Sequence, residues 1–128
     1  MHRSRLAAFV IDNKVADLEQ ANRFWEQALG YTCRRYDEDS SERYSHLEAP
    51  EGQPQLLLQK VEHESRIHLD IETDDIEAEV KRLTALGASI GARFEHWVVM
   101  QAPTGQRFCV VKPQRPDFPT APDVNEWP

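Results

Sequence analysis

Two segments of this chain follow one plan: an apolar strand, an acidic helix start and a helix that stops at Leu-Gly. Leu6 to Asp12 leads to Asp17-Leu18-Glu19-Gln20 and a stop at Leu29-Gly30. Ile67-His68-Leu69-Asp70-Ile71-Glu72 leads to Thr73-Asp74-Asp75-Ile76-Glu77 and a stop at Leu86-Gly87. The chain therefore reads as two copies of one module. Each copy, at roughly 50 residues, is marginal by itself, so both belong to one domain.

Local patterns extend the repeat. Helix one is expected from about Asp17 to Leu29, capped by Asp17, with Gln20 at the capping-box position. Leu18, Ala21, Trp25, Ala28 and Leu29 share one face, and Gly30 supplies the left-handed stop. Strands follow at Tyr31–Tyr36, Tyr44–Glu48 and Gln55–Val61, separated by a solvated turn at 37–42 and a turn at Ala49-Pro50-Glu51-Gly52. In the second copy, a strand over Arg66–Glu72 leads to a helix from about Asp75 to Leu86, with Asp74 as cap and Glu77 three residues on. Ser89–Phe94, Trp97–Gln101 and Phe108–Lys112 complete it, with Ala102-Pro103-Thr104-Gly105 as the closing turn. Each copy is thus strand, helix and three strands, a mixed α+β arrangement. One domain over residues 1–113 is expected, with module one at about 1–62 and module two at about 63–113. Beyond it, Pro113, Pro116, Pro119, Pro122 and Pro128 forbid helix and interior strand. The tail, residues 114–128, is expected to be extended and partly disordered, with Trp127 untethered; Phe118 is open between docking and solvent.

Charge narrows the function. The formal net charge is −7, with eight carboxylates between Glu62 and Glu79 facing only Arg66 among the strong bases. That balance argues against nucleic acid. Leu6 to Ile11 is too short for a signal core or a membrane span, so a cytoplasmic protein is expected. Cys33 and Cys109 form no CxxC pair, and no GxGxxG, P-loop, HExxH or GxSxG motif is present.

Three segments resemble the vicinal oxygen chelate superfamily, which holds glyoxalases, extradiol dioxygenases, fosfomycin-resistance enzymes and bleomycin-binding proteins. They are Asp17 to Gly30 with Phe24-Trp25 and Leu29-Gly30, Arg66 to Gly87, and Met100 to Cys109, whose Ala102-Pro103-Thr104-Gly105 stands where DPDG or DPEG is usual. The wording is closest to the bacterial glyoxalase-like domain subgroup and covers roughly residues 5 to 113. The resemblance implies two βαβββ modules forming an eight-stranded split barrel, a shared cleft for a small molecule, and a homodimer.

It also implies where ligands would stand. The first strand of the second module matches at His68, and its last strand at Cys109, where metal-dependent members usually carry Glu. The first-module first strand offers only Leu6, Ala7, Ala8, Phe9, Val10 and Ile11, and its last strand offers Leu57 or Gln59. Two donors are too few for the hard or ferrous ions of such enzymes, so no cofactor is expected. A softer divalent metal using His68, Cys109 and a third donor such as Gln59 or Asp70 is the lesser alternative. The site set is therefore His68, as tentative acid or base, with Asp70, Gln59, Leu57, Cys109 and Trp97 as ligand contacts. His46 and Glu48 are weaker candidates, and Trp25 reads as helix core. The expected role is small-molecule binding. A lyase, isomerase or dioxygenase-type enzyme and a drug- or metabolite-sequestering protein are the alternatives.

Overall fold

The computed structural model describes residues 1–35 and 43–128, so the turn expected at 37–42 lies outside the described residues. Its elements are β1 (His2–Asn13), α1 (Leu18–Leu29), β2 (Cys33–Arg35), β3 (Tyr44–Leu47), β4 (Gln55–Lys60), β5 (Arg66–Thr73), α2 (Ile76–Ala85), β6 (Ser89–Arg93), β7 (Trp97–Gln101), β8 (Arg107–Val111) and β9 (Asn125–Trp127). The βαβββ order occurs twice, as the repeat implies, and the fold is mixed α+β. The ninth strand, supplied by the tail, has no counterpart in the eight expected.

The chain divides into two compact units, residues 8–67 and residues 1–7 with 68–128. In the first, β4 pairs in parallel with Ala8–Asn13 of β1, and β3 and β2 follow antiparallel. Strand alternation sends Ile11, Leu47, Leu58 and Cys33 to one face, where Leu18 and Ala21 of α1 close the core and Trp25 packs against it. Asp17 caps α1 by accepting the Glu19 N–H at 2.9 Å. Gly30, at φ 71°, turns the chain out and returns its N–H to the Glu26 carbonyl at 2.9 Å.

In the second unit β8 lies parallel to β5, with β7 and β6 antiparallel beyond it. Ile71, Val98, Met100 and Val110 meet Val80 and Leu83 of α2. One expectation shifts here. The α2 cap is Asp75, whose carboxylate accepts the Ala78 N–H at 3.0 Å; Asp74 instead receives the Arg3 N–H at 2.8 Å. Alternation puts Ile67 and Leu69 on the same face of β5 as Ile71, but Ile67 is 63% and Leu69 41% exposed. Ten residues of helix span about 15 Å while eight of strand span about 26 Å, so α2 is too short to cover β5.

The tail departs most from expectation. It is ordered and belongs to this unit. Asn125–Trp127 pairs antiparallel with His2–Ser4, and Phe118, Ala121 and Val124 form their own small core. Trp127 is tethered: its indole N–H donates to Ser4 Oγ at 2.8 Å, and the Arg82 guanidinium lies 3.8 Å from its ring centre. The prolines are respected, since β9 is a short segment that none of them interrupts.

A buried ionic network holds the tail. The Arg5 side chain is 3% exposed and that of Glu72 is fully buried. Arg5 donates to Glu72 Oε2 at 2.7 Å and to Asp117 and Asp123 at 2.6 Å each. Glu72 Oε1 accepts the backbone N–H groups of Gln114 and Arg115 at 2.7 and 3.0 Å. Both Glu72 carboxylate oxygens thus accept hydrogen bonds, which such burial requires.

Candidate ligand-binding site

The site begins with the alternation of β5. Ile71 points to α2, so His68, Asp70 and Glu72 point to the opposite, helix-free face. The parallel register sets Asp70 beside Cys109 of β8, and Cys109 pairs onward with Val99 of β7. Side chains at paired positions share a face, so Cys109 joins His68 and Asp70 there. One donor atom from each of the three lies within 4.8 Å of the others. His68 Nε2 is 3.3 Å from Asp70 Oδ1, and both side chains are largely buried, at 13% and 14% exposure. Asp70 Oδ1 is buried and makes no hydrogen bond among the described residues.

Trp97 stands on the same face, two residues before Val99, and is paired with Val111. Its ring stacks on Phe94 with centroids 4.5 Å apart. The β7–β8 register thus places Trp97 and Val99 with Cys109 on this face. His96 lies in the turn before β7, where the Lys112 ammonium donates to its Nδ1 at 3.1 Å. A separate open groove of about 750 Å³ lies in this unit, lined by Thr73, Ile76, Arg93, Phe94, Val98 and Lys112 among others.

Leu57 and Gln59 belong to the unit of residues 8–67, on the face of β4 away from α1. Leu57 pairs with Val10 and His46, and Gln59 with Asp12 and Tyr44. The Gln59 amide donates to Tyr44 Oη at 3.2 Å. Burial, then the Arg34 charge, holds the His46 imidazole below its usual pKa. Trp25 packs on the α1 core, as its helix position implies.

Cys33 is a core residue, and burial pushes its thiol up. Cys109 is only half-buried and sits among titratable side chains. The sequence reading passed over the next polar group on this face, Glu72, and its partner Arg5. The available signal was the period of two through His68, Asp70 and Glu72.

A family model described as a glyoxalase-like domain matches residues 8–111. The chain belongs to that family, within the glyoxalase, bleomycin resistance and dioxygenase superfamily, also called vicinal oxygen chelate. Methylmalonyl-CoA epimerase from Mycobacterium tuberculosis is similar in structure at TM-score 0.62 and 19% identity, over 86% of this chain and 88% of that one. A hypothetical protein from Bacillus halodurans gives TM-score 0.61 and 13% identity, over 88% and 96%. A glyoxalase/bleomycin resistance protein/dioxygenase superfamily member from Vibrio splendidus gives 0.54 and 15%, over 86% and 99%. At these identities the likeness establishes the fold, and activity must be argued from the site. No curated protein matches the chain in sequence. No helix among the described residues is long and apolar enough to cross a membrane.

Proposed function

We propose that this protein binds a small organic molecule on the helix-free face of β5, β8 and β7, with His68 as its polar anchor. One observation carries the reading: His68, Asp70 and Cys109 converge within 4.8 Å on a sheet face whose opposite side already holds the core. Val99 and Trp97 on the same face supply apolar and aromatic surface, the usual complement to a few placed polar groups. Leu57 and Gln59 enter the ligand set through the resemblance alone. Cytoplasmic location and homodimerisation remain attached to this reading as expectations.

A second reading, lyase or isomerase chemistry, is favoured by the 3.3 Å approach of Asp70 to His68 Nε2. A carboxylate at that distance can orient the imidazole ring. A histidine, with an ordinary pKa near 6.5, can then take and return a proton near neutral pH. Small organic acids and their thioesters are the first class to test, because several structural neighbours are methylmalonyl-CoA epimerases by name. Sequestration of a drug or metabolite uses the same face without turnover.

Native mass spectrometry of chelator-treated protein against a metabolite extract, acyl-CoA thioesters and bleomycin tests the reading. A retained small molecule, lost or weakened at least tenfold in His68→Ala with the melting temperature nearly unchanged, is the expected result. Equal binding by wild type and His68→Ala would overturn it. Turnover of a bound thioester would select the enzymatic form.

A further inference from the structure

The helix-free face of β5 is covered unevenly. His68 and Asp70 keep some exposure, whereas Glu72, two residues further along the same face, is fully buried. What covers Glu72 is the C-terminal tail, which lies beyond the residues that match the family. We infer that tail residues 114–118 are the end wall of the ligand site. They set how far a small molecule can extend along β5 past Asp70, and Glu72 and Arg5 are the positioning residues that seat them. The inference rests on the ligand-binding reading and adds to it a limit on ligand size and charge.

The path of the chain places the wall. β8 ends at Val111, next to the Glu72 with which Val111 is paired. The chain then turns back over that neighbour. Three residues on, the Gln114 N–H meets Glu72 Oε1 at 2.7 Å, and the Arg115 N–H follows at 3.0 Å. The buried Arg115 side chain donates to the Leu6 carbonyl at 3.2 Å. The segment therefore leaves β8, passes Glu72 on the face that carries Asp70, and reaches β1. Side chains on one face of a strand recur about every 7 Å, so the wall stands one such step beyond Asp70.

The seat leaves no charge to spare. Each side-chain nitrogen of Arg5 donates to a carboxylate: Nε to Glu72, Nη1 to Asp123 and Nη2 to Asp117. The centre of the buried Phe118 ring lies 5.8 Å from that guanidinium. Glu72 accepts hydrogen bonds at both oxygens. Neither Arg5 nor Glu72 is left to pair with a ligand, which takes its polar recognition from His68 and Asp70 instead. Its end toward the wall is uncharged, because a charge set against these spent groups would be desolvated without a partner.

Cys109, on the same face, reads the wall without any ligand. Full-length protein is alkylated with N-ethylmaleimide and, separately, with the bulky N-(1-pyrenyl)maleimide, and the label on each cysteine is followed by peptide mass spectrometry. N-ethylmaleimide should label Cys109, and the pyrene reagent should lag by about tenfold or more, since it must await local opening of the tail. Cys33, buried in the core of the other unit, is the internal monitor of global unfolding. Arg5→Met removes the seat and should raise the pyrene rate relative to that of N-ethylmaleimide while Cys33 stays unlabelled. Should Arg5→Met expose Cys33, the milder Asp117→Asn with Asp123→Asn, which loosens the seat, becomes the deciding variant. Equal rates for the two reagents in wild type, or an unchanged ratio in the deciding variant, would overturn the inference. A Cys109 closed to both reagents in every variant would remove the open face and the inference with it. His68 takes no part in this readout, so failure of the ligand-binding reading, measured through His68→Ala, is distinguishable from failure of the wall.

Discussion

The two units share a plan and differ in what they place on the helix-free face. Matching β1 to β5 through the repeat sets Val10 against His68 and Asp12 against Asp70. Matching β4 to β8 through their parallel partners sets Gln59 of the Asp12 pair against Cys109 of the Asp70 pair. The aspartate is common to both; the imidazole and the thiol are not. In the first unit Asp12 is buried at 2% exposure with the Arg66 guanidinium 3.9 Å away, so its charge has a partner. In the second, Asp70 meets His68 and Cys109. One backbone plan thus holds an ion pair in one copy and a donor cluster in the other. Two side-chain choices make the difference, which is why the fold alone does not name a function.

The units also differ in how they handle buried charge, and three experiments sharpen that contrast. The largest effect is expected from Arg5→Met in the tail-bearing unit. It leaves Glu72 buried without its cation and frees Asp117 and Asp123 from the strand. Removing one partner of such a network costs about 3–5 kcal/mol. Denaturant unfolding should show that loss, with tail proteolysis preceding global unfolding. A loss under about 1 kcal/mol would mean that the tail is held by its apolar contacts instead.

Next comes Glu79, fully buried on α2. Burial alone would raise its carboxyl, but hydrogen bonds from Arg82, His2 and Ser4 outweigh that and hold it below 4.5. A depressed carboxylate pKa contributes stability above its unfolded value, and that contribution is lost as pH falls through the folded value. Glu79→Gln should therefore cost on the order of 2 kcal/mol at neutral pH. The gap to wild type should close steadily as acid is added from about pH 5 downward. A gap independent of pH would assign the loss to packing.

The smallest effect is expected from Glu19→Gln in the unit of residues 8–67. Two hydrogen bonds from Arg35, at 2.6 and 2.7 Å, lower the Glu19 carboxyl to about 2. Yet the Glu19 side chain is 36% and that of Arg35 40% exposed, so water and salt screen the pair. The cost should stay below about 1 kcal/mol and shrink in high salt. A salt-resistant loss as large as that of Glu79→Gln would erase the contrast between the units.

The repeat, the helices with their Leu-Gly ends and most strands were legible because they follow from local rules: alternation, capping and glycine at positive φ. His68 and Asp70 on the face away from Ile71 were legible for the same reason, since a strand has only two faces. Cys109 could be placed on the matching strand only through the resemblance. Its meeting with Asp70 depends on which residues of β5 and β8 pair, a register set by packing across the whole sheet. The α2 cap moved by one residue because Asp74 had a competing use, the Arg3 N–H, seventy-one residues away in sequence.

The tail marks the boundary most clearly. Its prolines determined, from sequence alone, that it would be neither helix nor interior strand. Only the tertiary structure decided that it is ordered. Asn125–Trp127 finds a strand edge at His2–Ser4, and the buried Glu72 finds two tail N–H groups. Those partners lie more than forty residues apart in sequence, beyond what local propensity encodes. Backbone preference is a property of neighbouring residues, whereas the partner that satisfies a buried charge is chosen by the fold.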